Sequence, residues 1–280
     1  YGGLLKAMMK LAKKKRAEVK AGKAVASAAG PGGILTSFTG GIQELTESTA
    51  KALAGEVRTG ASVAAIVRKE GGFELRLDDG STLDAEIVVS AAPAHALKEM
   101  VSELDGQISS ILGEIPYATM NVVCFGYQRQ KIARDLDGFG YLIPKKDGKN
   151  ILGTLWDSSI FPGRAPEGHV LLRSMMGGAT NPAAIDLSET EVKERVMADL
   201  KTIMGIDVAP DFARVFRHEQ AIPQYTVGHG RRLVALDEAL AGTPGLFLTV
   251  NAFFGVGLND CVNASNQVAA RVVDHLRRTA

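Results

Sequence analysis

The sequence is poor in the residues and patterns that usually announce a chemistry. It has two cysteines, Cys124 and Cys261. These are too few for a disulfide framework and fit a reducing cytoplasm. Its five histidines, His95, His169, His218, His229 and His275, stand in no spacing that favours a metal site or a catalytic triad, so each reads as structural or exposed. Neither Gly-x-Ser-x-Gly nor His-Glu-x-x-His occurs, which removes two common hydrolase signatures. No apolar run reaches the roughly 18 residues of a membrane span. Gly-x-Gly-x-x-Gly is missing too, and with it the usual dinucleotide-binding βα turn. Paired acids such as Asp78-Asp79 sit in turns and serve the turn. An enzyme built on this sequence has to borrow its reactivity from a cofactor, the protein supplying shape and electrostatics.

What is present describes a globular protein. Hydrophobic residues make up 46% and charged residues 22% of 280, enough to bury a substantial core in one or two domains. A net charge of +1 conceals an asymmetry: residues 1–32 carry Lys6, Lys10, Lys13, Lys14, Lys15, Arg16, Lys20 and Lys23 against Glu18 alone. Leu4, Met8 and Leu11 share one helical face among these lysines. The segment reads as a basic amphipathic helix, either lying on a membrane surface or solvated with its thin apolar stripe packed on neighbouring structure. Residues 21–33, rich in glycine and alanine, read as a linker or mobile loop. The opening Tyr1-Gly2-Gly3 has no start methionine or signal-peptide pattern and looks like the middle of something longer.

From Leu35 onward the pattern predicts a helix led by Gly40-Gly41 and closed after Leu53 by Gly55, then a short strand at Val57–Arg58. Ser62 to Arg68 and Phe73 to Leu77 alternate around Glu70-Gly71-Gly72 as a hairpin, and Asp78-Asp79-Gly80 turns the chain again. Leu83 to Ala92 reads as a strand ending in a continuous apolar run, stopped by Pro93, with a helix to about Met100. Such a strand usually lies in a sheet covered on both faces. Strands over 120–127, 138–144, 151–156 and 170–176 follow with no helix between them, which predicts an antiparallel sheet. Next come a helix over 186–204, a strand over 212–218 left through Ala221 to Tyr225, and a helix over 233–240. Four segments result: a basic helix and loop (1–34), a parallel-type part (35–100 and 231–280), and an antiparallel insertion between its two pieces (101–230).

The last stretch organises the rest. Leu246 to Val250, bounded by Pro244-Gly245, reads as a buried strand. Gly255 and Gly257 follow a polar break at Asn251, and apolar residues then recur at helical spacing to Leu276. Glycines just ahead of a helix let a ligand approach the backbone, with free N–H groups and the positive end of the dipole facing it. Such a turn suits an anion or an electron-rich ring edge, or is simply a strand-to-helix connection.

Leu248 to Cys261 resembles the C-terminal flavin motif of the protoporphyrinogen oxidases, FAD-dependent enzymes of haem synthesis. The likeness includes Ile222 to His229, Gly138 to Pro144, Ile151-Leu152-Gly153, Phe161 to Arg164, Ile115 to Ala118 and Ser37 to Ile42. The resemblance implies an α/β fold with an α+β insertion, in which a partial Rossmann-like FAD-binding half brackets an antiparallel substrate-binding sheet. It implies oxidation of a porphyrinogen, protoporphyrinogen IX or coproporphyrinogen III, with hydride passing to the flavin and O2 commonly reoxidising it. Catalytic side chains are not implied. The adenine end is expected at Val63 and the flavin end at Gly255, Val256, Gly257 and Leu258. The tetrapyrrole is expected on Gly140, Leu142, Leu155 and Met175, three of whose side chains would otherwise read as ordinary core. Peripheral membrane contact is expected from the basic start, and a homodimer from the strand edges and apolar surface that the absent half would leave open. Two departures stand out: Val250 replaces a glycine, and the glycine-rich βαβ unit with most of a helical lobe is absent, so the chain reads as a C-terminal portion inactive alone. A desaturase-like relative, with the sheet lining a long channel, or a non-catalytic porphyrin-binding remnant are the alternatives.

Overall fold

A computed structural model describes Met9, Lys13 and residues 35–279. The expected basic helix and linker of residues 1–34 therefore lie almost wholly outside the described residues. The chain divides into two units, Tyr1–Val57 and Arg58–Ala280. In the first, α1 (Gln43–Ala52) follows Gly41 as expected and buries none of its side chains. Glu44 in its first turn accepts the Gly40 N–H at 2.9 Å, the favourable place for a carboxylate. No strand forms at Val57–Arg58. The run is two residues long and Gly60 turns the chain directly after it, leaving too little length for a ladder.

The second unit opens with a meander. Strands β1 (Val63–Lys69), β2 (Gly72–Leu77) and β3 (Thr82–Ala85) form an antiparallel sheet in that order. The expected single strand over Leu83–Ala92 is in fact two. β3 pairs with β2 up to Ala85, whereas β4 (Val88–Ser90) leaves for a different sheet, pairing in parallel with β10 (Leu246–Leu248). Alternation cannot announce such a change of partner, because the apolar run continues through it. Helix α2 (Ala94–Met100) follows Pro93 as expected. Helix α3 (Gly106–Gly113) was not anticipated, although Asp105 caps it by accepting from Gln107 and Ile108 N–H, and Ile108, Ile111 and Leu112 mark its buried face. This cap and spacing are a legible helix start. These elements share one core with Ile66, Phe73, Leu97, Leu236, Leu246, Leu248 and Phe253.

A larger sheet holds the second core. β5 (Tyr117–Gln128), β6 (Gly140–Leu142), β7 (Ile151–Leu155), β8 (His169–Gly177) and β9 (Phe212–Pro223) are antiparallel in the order β6-β7-β8-β5-β9. A short helix, α4 (Asp157–Ile160), lies between β7 and β8. One face of the sheet packs on α5 (Glu189–Met204) through Val123, Phe125, Tyr127, Leu172 and Met176 against Val192, Val196 and Leu200. Ser188 starts α5 with a reciprocal capping box to Glu191, of the kind worth about 1 kcal/mol. β6 is shorter than expected, and β9 runs five residues past the expected end to Pro223 as an edge strand, where proline is tolerated. Gly140 adopts φ +125°, and a Cβ there would stand 2.0 Å from the Thr154 carbonyl. Only glycine lets β6 approach β7 this closely.

The chain then returns to the first core. Helix α6 (His229–Ala241) leads to β10, and β10 to the long α7 (Leu258–Thr279). Among the described residues no helix is long and apolar enough to cross a membrane.

Candidate functional site

The parallel pair β4–β10 sends both of its outgoing turns to one end. β4 feeds α2 through Ala91-Ala92-Pro93, and β10 feeds α7 through residues 249–257. Because the strands are parallel, both turns leave at the carboxyl end of the pair, where ligands bind in open α/β sheets.

The second turn is shaped by glycine. Gly255 sits at φ +107°, and a Cβ on it would come within 2.5 Å of Asp260. Any other residue would need both a left-handed backbone and a displaced Asp260. The first N–H groups of α7 have no carbonyl one turn back, so the backbone of Val256, Gly257 and Leu258 is free to meet a ligand. Asp260 in that first turn answers part of the helix's positive end. A phosphate would be repelled there, and a neutral, electron-rich ring edge fits better. Val250, the unusual residue beside this turn, is partly buried against the first core.

Two tyrosines at one end of the five-stranded sheet, Tyr117 within it and Tyr225 just beyond β9, tie it to these turns. Tyr117, the first residue of β5, pairs with Pro223, the last of β9. The Tyr117 hydroxyl accepts the Ala94 N–H at 3.0 Å at the start of α2, and Tyr225 bonds the second turn. Burial of Tyr117 raises its pKa, so it stays protonated. His95 meets the Tyr117 ring edge-on at 4.6 Å.

The other face of the sheet is open. Residues directly opposite in antiparallel strands share a face, and the register lines up Leu142, Gly153, Met175, Val122 and Phe216 across all five strands. The adjoining row holds Gly140, Leu155, Arg173, Cys124 and Arg214. Strand spacing of about 4.8 Å and about 3.4 Å per residue make this a flat patch about 20 Å wide. Leu142 is 79% exposed and Phe216 45%, so an apolar stripe lies uncovered. Arg173 is held by a two-pronged pair to Asp157, at 2.8 and 2.9 Å. Arg214 stacks over Phe216 at 5.5 Å. Burial raises the pKa of Cys124, which keeps it a thiol.

The structure thus brings Gly140, Leu142, Leu155 and Met175 together on one face. Gly255, Val256, Gly257 and Leu258 form one turn. Val63 stands apart at the start of β1, where the register shifts, its side chain packed on the first core. Among the described residues no cluster of histidine, cysteine and carboxylate could hold a metal. Sequence reasoning missed Val122 and Phe216, which alternation would have offered once the register was known, and it assigned no role to Tyr117, Tyr225 or His229.

Two histidines, buried His229 and half-buried His95, carry a pH signature. His229 is 8% exposed with neither ring nitrogen hydrogen-bonded. The Phe253 backbone favours its protonated form only weakly. Burial first, then Arg232, lowers its pKa; burial and Lys98 do the same for His95. The unfolded chain therefore binds more protons than the folded one below about pH 6.5. Stability is complete above that pH and falls on acidification. The Tm is expected to drop from pH 7 to pH 5, and less so in His229→Phe. Calorimetry at the two pH values checks this, and an identical drop in the variant would remove His229 from the account.

The residues thus build a parallel strand pair with a glycine turn at its carboxyl end, hydrogen-bonded through two tyrosines to one end of an antiparallel sheet with an open apolar face. The chain belongs to the flavin containing amine oxidoreductase family, whose profile matches residues 2–273. It is 32% identical over 246 residues to the coproporphyrinogen III oxidase of Bacillus subtilis (strain 168), covering 87% of this chain and 52% of that protein. To the chloroplastic protoporphyrinogen oxidase of Oryza sativa subsp. japonica it is 30% identical over 265 residues, covering 89% and 49%. The chain thus spans about half the length of these relatives. Its fold matches a provisionally assigned protoporphyrinogen oxidase from Exiguobacterium sp. 255-15 with TM-score 0.76 at 24% identity, over 88% of this chain and 54% of the other. A reduced UDP-galactopyranose mutase matches at TM-score 0.64 and 15% identity, over 86% and 52%.

Proposed function

We propose that this chain supplies the substrate face and the flavin-edge turn of an FAD-dependent porphyrinogen oxidase of haem biosynthesis, acting on protoporphyrinogen IX or coproporphyrinogen III. The observation that carries it is the uncovered row Leu142–Gly153–Met175–Val122–Phe216, whose sheet is hydrogen-bonded at one end to the Gly255 turn. When bound, FAD would supply the oxidation, taking hydride from a macrocycle carbon. This chain's own residues bind and orient. The backbone of Val63 holds the adenine end, and that of Gly255, Val256, Gly257 and Leu258 meets the flavin edge. Gly140, Leu142, Leu155 and Met175 lie against the macrocycle and exclude water, and no side chain of the chain acts as acid or base. Segments 35–100 and 231–280 belong to FAD, and 101–230 to the substrate. Arg214 beside the apolar row suits a carboxylate-bearing macrocycle.

The test joins this chain, in trans or as a fusion, to the N-terminal half of the Bacillus subtilis relative and follows porphyrin fluorescence from each porphyrinogen. Oxygen uptake in step with fluorescence would identify O2 as the acceptor, and light scattering would report a homodimer. If that assembly binds porphyrin but oxidises neither porphyrinogen, the non-catalytic reading replaces this one.

We also propose a cytoplasmic protein resting on the inner face of the membrane through residues 6–23. Each exposed lysine near an anionic surface adds about 1 kcal/mol that salt screens. Sedimentation is expected to show binding to anionic vesicles that 0.5 M salt (about a 4 Å screening length) abolishes, and none to neutral ones. Equal, salt-insensitive binding to both would sink the electrostatic version.

A further inference from the structure

We propose that Tyr225 is a positioning residue: its hydroxyl sets the Gly255–Leu258 turn, and His229 fixes the ring that carries it. The proposal rests on the reading of that turn as the cofactor contact. Tyr225 lies two residues beyond the end of β9, where Gln224 N–H donates to the Pro116 carbonyl at 2.8 Å and keeps this segment beside the start of β5. Its hydroxyl donates to the Asn251 carbonyl and accepts the Gly255 N–H at 2.8 Å. One oxygen therefore closes the loop between residues 251 and 255, using both its donor and its acceptor capacity. With Gly255 at φ +107°, the direction of the N–H groups that follow depends on where this amide is held.

The ring, 43% exposed, is braced on one face. It stacks on His229 with centroids 4.2 Å apart and planes at 9°. His229 begins α6 directly after Gly228 at φ +95° and is 8% exposed. Its ring nitrogens make no hydrogen bond within the chain, so its contribution is the flat face it offers Tyr225. Thr226, the next residue, accepts from Arg232 at 3.2 Å, and Arg232 pairs with Glu114 at 3.1 Å. The first turn has a counterpart in Tyr117, which accepts the Ala94 N–H and is braced by His95. Both tyrosines come from the same end of the β5–β9 pair. One end of the β5–β9 pair is thus hydrogen-bonded to both turns, the kind of fixed spacing that transfer between two rigid ring systems requires.

Two measurements test this. Amide hydrogen exchange on the 280-residue chain should show Gly255 exchanging about tenfold faster in Tyr225→Phe, the cost of one hydrogen bond. Val123 in the sheet should be unchanged, and His229→Phe, which keeps a stacking face, should leave Gly255 protected. In the FAD-bearing assembly described above, Tyr225→Phe should weaken FAD about tenfold while the KM for porphyrinogen stays within about twofold. A purely structural role would move both, and Val123 with them. Unaltered Gly255 exchange overturns the proposal. So does faster exchange with unaltered FAD affinity, provided Gly257→Val still weakens FAD. If neither variant changes FAD affinity, the cofactor reading of the turn falls first and the positioning role with it.

Discussion

Purified alone, the 280-residue chain is expected to be colourless, to bind FAD more weakly than about 100 μM (less than about 5.5 kcal/mol), and to oxidise no porphyrinogen. The chain offers the two ends of the cofactor a contact each, at Val63 and at Gly255–Leu258. The pyrophosphate between them carries the most charge, and its usual cradle, a glycine-rich βα turn, is not in the sequence. Asp260, lying against the glycine turn, would repel a phosphate that tried to use it instead. The parallel sheet is thin as well. Among the described residues β4 and β10 pair only with each other, although parallel sheets are normally buried between layers. Val89 on β4 is 49% exposed, and α7 leaves Val262, Val273 and Leu276 between 44% and 49% exposed. Such edges and faces favour association, so the chain should sediment as a dimer or larger. Supplying the N-terminal half should restore yellow colour and oxidase activity. A monomer, confirmed by mass, that binds FAD at micromolar concentration or better would overturn this expectation.

Replacing Leu142 by lysine should lower kcat/KM for porphyrinogen about 100-fold in that assembly, with FAD content near normal. Leu142 is 79% exposed, so the ammonium is solvated until substrate arrives, and the fold loses little. A macrocycle settling on the Leu142–Met175 row strips that water. No carboxylate stands in the row to answer the charge, since Asp157 is engaged by Arg173. An unpaired charge against an apolar ring costs several kcal/mol, and part is recovered because the long lysine stem can lead its head back to water. About 3 kcal/mol remains, which corresponds to the 100-fold loss. The same substitution at Val215, on the opposite face, would disturb the core instead, so Tm separates a slot effect from a folding effect. Porphyrinogen oxidation at the parent rate by the Leu142→Lys assembly would place the slot elsewhere.

Local signals carried most of the fold. The β1–β2 hairpin, α2, α5, the antiparallel strands and the strand–turn–helix at 246–279 stand close to where pattern and capping residues predict them. Capping chemistry and side-chain period act over a few residues, so they are visible in any window of the chain. Where the reading failed, a distant partner was responsible. Leu83 to Ala92 changes sheets at residues 86–87, because Val88 to Ser90 finds β10 some 158 positions away. The helix at 106–113 was the exception, its Asp105 cap and Ile108-Ile111-Leu112 spacing having been present all along.

The candidate site divides in the same way. Sequence alone determined that a glycine turn stands ahead of the last helix, and its lack of a catalytic or metal-ligating spacing led to the expectation that an enzyme built on it would borrow its chemistry from a cofactor. Its resemblance also named the four sheet residues. Only the tertiary structure decided that Leu142, Met175, Val122 and Phe216 share one open face, because faces follow from register, and register is set by pairing between residues as far apart as Val122 and Phe216, 94 positions along the chain. It alone showed that Asp260 answers the dipole at the glycine turn, which turns the preference from an anion toward a ring edge. And it alone brought Tyr225 to Gly255, a hydrogen bond that spans 30 residues and exists because β9 runs on to Pro223 and delivers the tyrosine to the carboxyl end of the parallel pair.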